Sequence, residues 1–303
     1  MITAALLAAL ATACALGAWR FTTARWTSRA PRVAIILWQS LGVAWGLATT
    51  GAMLAYAVQP YGAGVLAGLH AFANGETPRE PWDLMHVLAM IAGLTALTVL
   101  VVVLLTAGVQ ALRARRRHRL LLALISHDDP GVPGVRVLDH PSAAAYCVPG
   151  LRSQVVVSEG TIRLLSQDEL HAVLAHEAAH VRERHDLVLL PFAALRRALP
   201  WSKVVRDAQD QVELLVEMAA DDRARRYCSP RRLATALLRF GTAGAMPTPH
   251  GMIGLHARAH TVMARVDRLV KPGPELSRPI RYGSIALSVT LLTATPFLWV
   301  IQL

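Results

Sequence analysis

The chain has 303 residues, 54% of them hydrophobic, with a mean hydropathy of +0.39. Its formal net charge is +11, from 31 Lys and Arg against 20 Asp and Glu. The apolarity is high for a soluble protein, and the charge admits either a nucleic-acid binder or a membrane protein with basic loops. The arginines stand beside apolar blocks, which favours the second class. Cys14, Cys147 and Cys228 lie far apart and form no CxxC pair, so no disulfide framework or thiolate metal site follows.

A spanning helix needs about 20 apolar residues. Taken in chain order, the first candidate is Ile2 to Trp19. Arg20 follows the apolar run instead of preceding it, the reverse of a signal peptide, so this segment reads as a retained span. Val33 to Val58 carries no charged residue and forms the second. Leu84 to Leu112 forms the third, and Gly283 to Leu303, interrupted by Pro296, the fourth.

Basic residues orient these spans. The first link holds Arg20, Arg25, Arg29 and Arg32 without an acid. The second link, 59–83, holds Arg79 against Glu76, Glu80 and Asp83. Arg113, Arg115, Arg116, Arg117 and Arg119 follow span three, and Lys271, Arg278 and Arg281 precede span four. The expectation is a multi-pass plasma-membrane protein with both termini and the 59–83 loop outside. The expected division is 1–112 for three spans, 113–281 for a cytoplasmic domain and 282–303 for the fourth span. The Arg113–Arg119 cluster then reads as a topological stop touching lipid phosphate, and no direct nucleic-acid binding is expected.

Within 113–281, Leu120 to Ser126 continues helically until Asp128-Asp129-Pro130-Gly131 breaks the chain. Val135–Leu138, Ala143–Val148 and Gln154–Ser158 suggest short strands. Ser166, with Glu169 three residues on, predicts a capping box opening a helix from about Gln167 to Leu190.

That helix contains His176-Glu177-Ala178-Ala179-His180, an HExxH motif. Two histidines at i and i+4 share a helix face and can bind one zinc ion, with Glu177 as general base on water. The motif lies in the apolar stretch Leu170 to Val181, where incidental polar side chains would be costly to bury without a partner such as a metal. A catalytic zinc needs a third protein ligand. His185 and Asp186 come first to mind, but Glu183 stands where a related motif has a turn-forming glycine. The helix is therefore expected to continue, carrying Asp186 about 240° and His185 about 140° around from His180, onto the solvated side. A second helix, Gln211 to Tyr227, offers Glu213, Glu217 and Asp221 on one face. Small residues between Glu217 and Asp221 would allow close packing on the HExxH helix, with Glu217 as ligand and Asp221 orienting a ligating histidine. Glu213 and Asp222 read as an ordinary acidic face.

The stretches Val155-Val156-Val157-Ser158, Glu169 to His180, and Glu217-Met218-Ala219-Ala220-Asp221 resemble the gluzincin membrane peptidases. These comprise the BlaR/MecR signal-transducer family and the related HtpX and CAAX prenyl protease family. The resemblance implies that His176, His180 and Glu217 bind one Zn2+ and that Glu177 is catalytic. It also implies a mainly α membrane protein, with four transmembrane helices and an α+β metallopeptidase domain between spans three and four. The HtpX group has a histidine and an arginine after its zinc helices, thought to assist at the scissile carbonyl. His260 and Arg265 are comparable here, one residue closer together, with His256 an alternative.

The span plan is similar to the BlaR/MecR arrangement. It implies a signalling protease that cleaves a BlaI-type winged-helix repressor or itself. The penicillin-binding domain of those sensors does not follow span four, and no SxxK motif occurs, so acylation by a β-lactam is not expected. Two other readings stand beside this one: an HtpX-like quality-control protease, and a non-proteolytic receptor that keeps zinc for structure.

Overall fold

The computed structural model describes residues 1–128, 134–148, 154–243, 253–254, 259–271 and 273–301. Two compact units divide the chain. One comprises 1–105, 194–211 and 276–303; the other comprises 106–193 and 212–275.

The first unit opens with α1 (Ile2–Phe21), α2 (Pro31–Ala57) and the short α3 (Val65–Ala73). The 59–83 segment therefore contains a helix that its sequence did not announce. α4 (Leu84–Ile125) is one continuous helix of 42 residues, about 63 Å long at 1.5 Å per residue. Its N-terminal half belongs to this unit. Together with α11 (Arg278–Val300), α1, α2 and α4 are long and apolar enough to cross a membrane. α2 is the central one: 56% of its most apolar window is buried, against 11% for α4. Small residues on α2 permit that packing. A Cβ on Gly51 would lie 2.8 Å from Trp299 Cε2, and Trp299 donates from Nε1 to the Leu47 carbonyl at 3.1 Å.

The second unit begins in the C-terminal part of α4. It continues through β1 (Ser126–Asp128), β2 (Val135–Leu138), β3 (Ala145–Val148) and β4 (Gln154–Ser158). It then runs through α5 (Glu159–Leu164), α6 (Gln167–Arg182) and α7 (His185–Ala198), the last of which ends in the first unit. α8 (Lys203–Ala224), whose residues up to Gln211 belong to the first unit, α9 (Pro230–Thr242), β5 (Ile253–Gly254) and α10 (Ala259–Val270) complete it before α11. The sheet order is β1-β2-β4-β3-β5, with β2 and β4 parallel and the other pairs antiparallel. The helix expected to continue to Ser126 ends at Ile125, and Ser126 opens β1 instead.

β3 and β4 are locked by a buried polar knot. Ser158 Oγ accepts from the Ala144 amide at 2.9 Å and donates to the Ser142 carbonyl at 2.8 Å. Thr161 Oγ1 donates to the Ala144 carbonyl at 2.8 Å. The core of the unit packs Val157, Leu170, Val173, Leu233, Leu237 and Phe240 between sheet and helices. Cys147 is buried there, and burial pushes its thiol well above the usual range.

Candidate metal centre

α6 starts where local sequence dictates. Ser166 Oγ accepts from the Glu169 amide, and Glu169 Oε2 accepts from the Ser166 amide at 2.8 Å, a complete capping box. Glu169 Oε2 also accepts from Arg239 Nη1 at 2.9 Å, tying α6 to α9. From this fixed start, the helical repeat turns His176, Glu177 and His180 inward, and all three are fully buried.

α8 faces them. Ala219 and Ala220 are fully buried, and the helix carries Glu217 and Asp221 one turn apart. His176 Nε2 lies 3.0 Å from His180 Nε2 and 3.3 Å from Glu217 Oε2; His180 Nε2 lies 3.4 Å from Glu217 Oε1. These three residues are the metal-capable trio found among the described residues. Asp221 Oδ1 sits 3.0 Å from His176 Nδ1.

Arg265 on α10 packs against the same cluster, with Nη2 3.4 Å from His176 Nε2. It is fully buried and bidentate on Asp221, donating from Nε to Oδ2 at 2.8 Å and from Nη2 to Oδ1 at 2.7 Å. Its Nη1 pairs with Glu217 Oε2 at 2.7 Å. The resemblance led one to expect an arginine at the substrate carbonyl; here the guanidinium is held by the Asp221 and Glu217 carboxylates, beside the His176 ring. His260 is on the same helix, but its side chain lies outside the described residues, as does all of His256.

The electrostatics follow from this enclosure. Burial would raise Glu217, but Arg265, His180 and His176 outweigh it and hold the carboxyl at about 2. Asp221 is likewise held low by Arg265 and His176 against its burial. Burial lifts Glu177 to about 8, against the pull of His176 and Arg265. Burial would lower His176, but hydrogen bonding to Asp221 and Glu217 raises it to about 9. Burial depresses both His180 and His185.

Several expectations change with the structure. α6 does not run on to Leu190. It ends at Arg182, Arg184 takes a left-handed φ of 50°, and α7 restarts at His185. His185 and Asp186 consequently turn inward and are buried, not solvated. Asp186 Oδ2 pairs with Arg115 Nη1 at 2.9 Å, so Arg115, alone of its basic cluster in being buried, contacts a carboxylate where lipid phosphate was expected. The α8 helix also begins at Lys203, eight residues before the expected Gln211.

The donor set fits a zinc ion. Zinc–ligand bonds of about 2.0–2.2 Å in a tetrahedron set ligand atoms about 3.3–3.5 Å apart. Two of the trio's edges, 3.3 and 3.4 Å, fall in that range and the third, 3.0 Å, is slightly short. Both Glu177 carboxylate oxygens are buried and make no well-formed hydrogen bond among the described residues, the Cys147 backbone of β3 being the polar group that approaches them. Such a group is costly unless water or a cation faces it.

Residues 110–211 match the family model described as Peptidase family M48. The match contains the HExxH motif and stops short of Glu217. Segments of the chain are also similar to curated relatives named "Protease HtpX homolog". The relative from Aeropyrum pernix is 40% identical over 78 residues, covering 23% of this chain and 24% of the relative. The relative from Pelotomaculum thermopropionicum is 44% identical over 59 residues, 20% and 21% of the two chains. The relative from Trichormus variabilis is 30% identical over 95 residues, 31% and 33%. The chain thus spans about a fifth to a third of the length of these relatives.

Proposed function

We propose that this chain is an integral-membrane zinc metalloendopeptidase that hydrolyses peptide bonds of protein substrates. The observation that carries the reading is the buried trio His176, His180 and Glu217 at ligand-to-ligand spacing, with the fully buried Glu177 carboxylate on the helix of the two histidines. The family match over 110–211 and the relatives' name support the same reaction class.

His176, His180 and Glu217 would hold the ion. A bound zinc supplies Lewis-acid polarisation of the scissile carbonyl and acidifies water. Glu177 takes the proton of the attacking water and delivers it to the leaving nitrogen. Asp221 fixes the ring of His176 through Nδ1, and Arg265 holds Asp221 and Glu217 in register. The resemblance offers His260 as the group that stabilises the developing oxyanion.

Of the biological roles raised by the sequence, an HtpX-like protease acting on membrane proteins has the support of the relatives. Signalling by cleavage of a winged-helix repressor rests on the span plan and the BlaR/MecR resemblance. A structural zinc without catalysis accounts poorly for Glu177, because a closed structural site needs no further buried carboxylate on its ligand helix. The domain is assigned to the cytoplasmic side of the cell membrane by the basic links.

Metal analysis of the purified full chain tests the centre. We expect one zinc per chain, its removal by a strong chelator together with proteolysis, and recovery of both on adding zinc back. Glu217→Ala and His176→Ala should each lose the metal. Full zinc occupancy in Glu217→Ala removes that residue from the ligand set.

A further inference from the structure

Asp221 serves one of the two histidines, and a second device serves the other. A histidine that ligates through one nitrogen must carry its proton on the other, and that N–H needs an acceptor to fix tautomer and ring orientation. His180 turns Nε2 toward His176 and Glu217, which leaves Nδ1 as the protonated nitrogen. The group facing it is His185, whose Nδ1 lies 2.9 Å from His180 Nδ1 with the rings edge to face at 79°.

Two imidazole nitrogens at that distance bond only if one donates and the other accepts. With His180 Nδ1–H donating, His185 must present a lone pair at Nδ1 and carry its own proton at Nε2. That Nε2 lies 3.5 Å from Glu183 Oε2, at the outer limit of direct hydrogen bonding, and a carboxylate is the acceptor it requires. The proton positions along Glu183, His185 and His180 are therefore mutually consistent.

The local backbone makes this possible. Glu183 closes α6 with φ −93° and ψ 4°, and the left-handed Arg184 reverses the direction, so the first residue of α7 points back at the last turn of α6. Asp186, pinned by Arg115 Nη1 at 2.9 Å and approached by Arg184 Nε at 3.4 Å, anchors that restart. An uninterrupted helix would carry His185 away from His180.

We propose that His185 is a positioning residue for the metal centre. It accepts the Nδ1 proton of His180, is itself held by Glu183, and thereby presents His180 Nε2 to the ion. This rests on the metal-centre reading above, and the test separates the two.

The experiment uses the full chain in detergent and measures zinc affinity by chelator competition, together with the visible absorption of the cobalt-substituted protein. His185→Phe keeps an aromatic ring and removes the acceptor. Its zinc affinity should fall about 10- to 100-fold, with a changed cobalt spectrum. His185→Asn retains an acceptor oxygen near the Nδ1 position and should stay close to the parent in both readouts. If His185→Phe does not fold, Glu183→Met carries the test, and a weakened zinc affinity is again expected. Parental affinity and spectrum in His185→Phe, or in Glu183→Met where it stands in, overturn the proposal. So does a loss in His185→Asn as large as in His185→Phe, which would indicate packing alone. A parent chain that binds no zinc overturns the metal reading and this inference with it.

Discussion

Arg265 makes two buried acids tolerable beside the candidate metal site. It is fully enclosed, with three of its nitrogens on Asp221 and Glu217. Removing one partner of such a network leaves charges buried without compensation, at a cost of about 3–5 kcal/mol. Arg265→Leu should therefore lower the thermal midpoint and the folded yield sharply in detergent, whereas Arg239→Leu, which removes a half-exposed guanidinium and leaves the buried Glu169 its bond from the Ser166 amide, should cost less. Glu177 calls for the opposite separation. Glu177→Gln should retain zinc yet lose peptide cleavage by at least about 100-fold, the usual contribution of a general base. Zinc loss in that variant would contradict the assigned role. Much of this residue chemistry was legible in the sequence because it is local: HExxH puts both histidines on one helical face whatever surrounds it, and small residues between Glu217 and Asp221 signal close packing. His185 was not legible. Its inward turn depends on a left-handed Arg184, a conformation that a charged, β-carbon-bearing residue does not advertise.

At the scale of elements, the centre is carried by a helix with a well-defined start. Ser166→Ala removes half of the capping box and should destabilise the second unit by about 1 kcal/mol, readable as a lower midpoint. The junction of β4 and α5 is tighter. A Cβ on Gly160 would lie 2.6 Å from the Pro141 carbonyl carbon and 2.8 Å from that of Ser142, both backbone atoms that cannot swing aside. Gly160→Ala should therefore cost more than the cap does, about 1–3 kcal/mol, with β3 and β4 pushed apart. An alanine variant as stable as the parent would contradict the packing seen here. β4 was readable from its β-branched run Val155-Val156-Val157, and β2 and β3 as short apolar segments flanking the His140-Pro141 turn. β1 was not, because Ser126-His127-Asp128 has no such run and is drawn into the sheet by pairing with β2. The same applies to α3, whose nine residues are too few to leave a periodic signature in a link.

For the whole molecule, four long apolar helices were readable from hydropathy, since a span must be apolar along its entire length. Their orientation is argued from the basic links alone, and it can be tested. In a chain with Cys14, Cys147 and Cys228 replaced by alanine, Glu76→Cys should react with a membrane-impermeant maleimide in intact cells. Arg163→Cys, on the exposed side of α5, should react only after permeabilisation. The reverse pattern would invert the topology. The catalytic claim itself is tested most directly by comparing protein N-termini, in membranes and cytosol, between cells making the parent chain and cells making Glu177→Gln. New N-termini are expected with the parent and not with the variant, although both chains hold zinc. Identical termini in the two, with zinc bound in each, would contradict it.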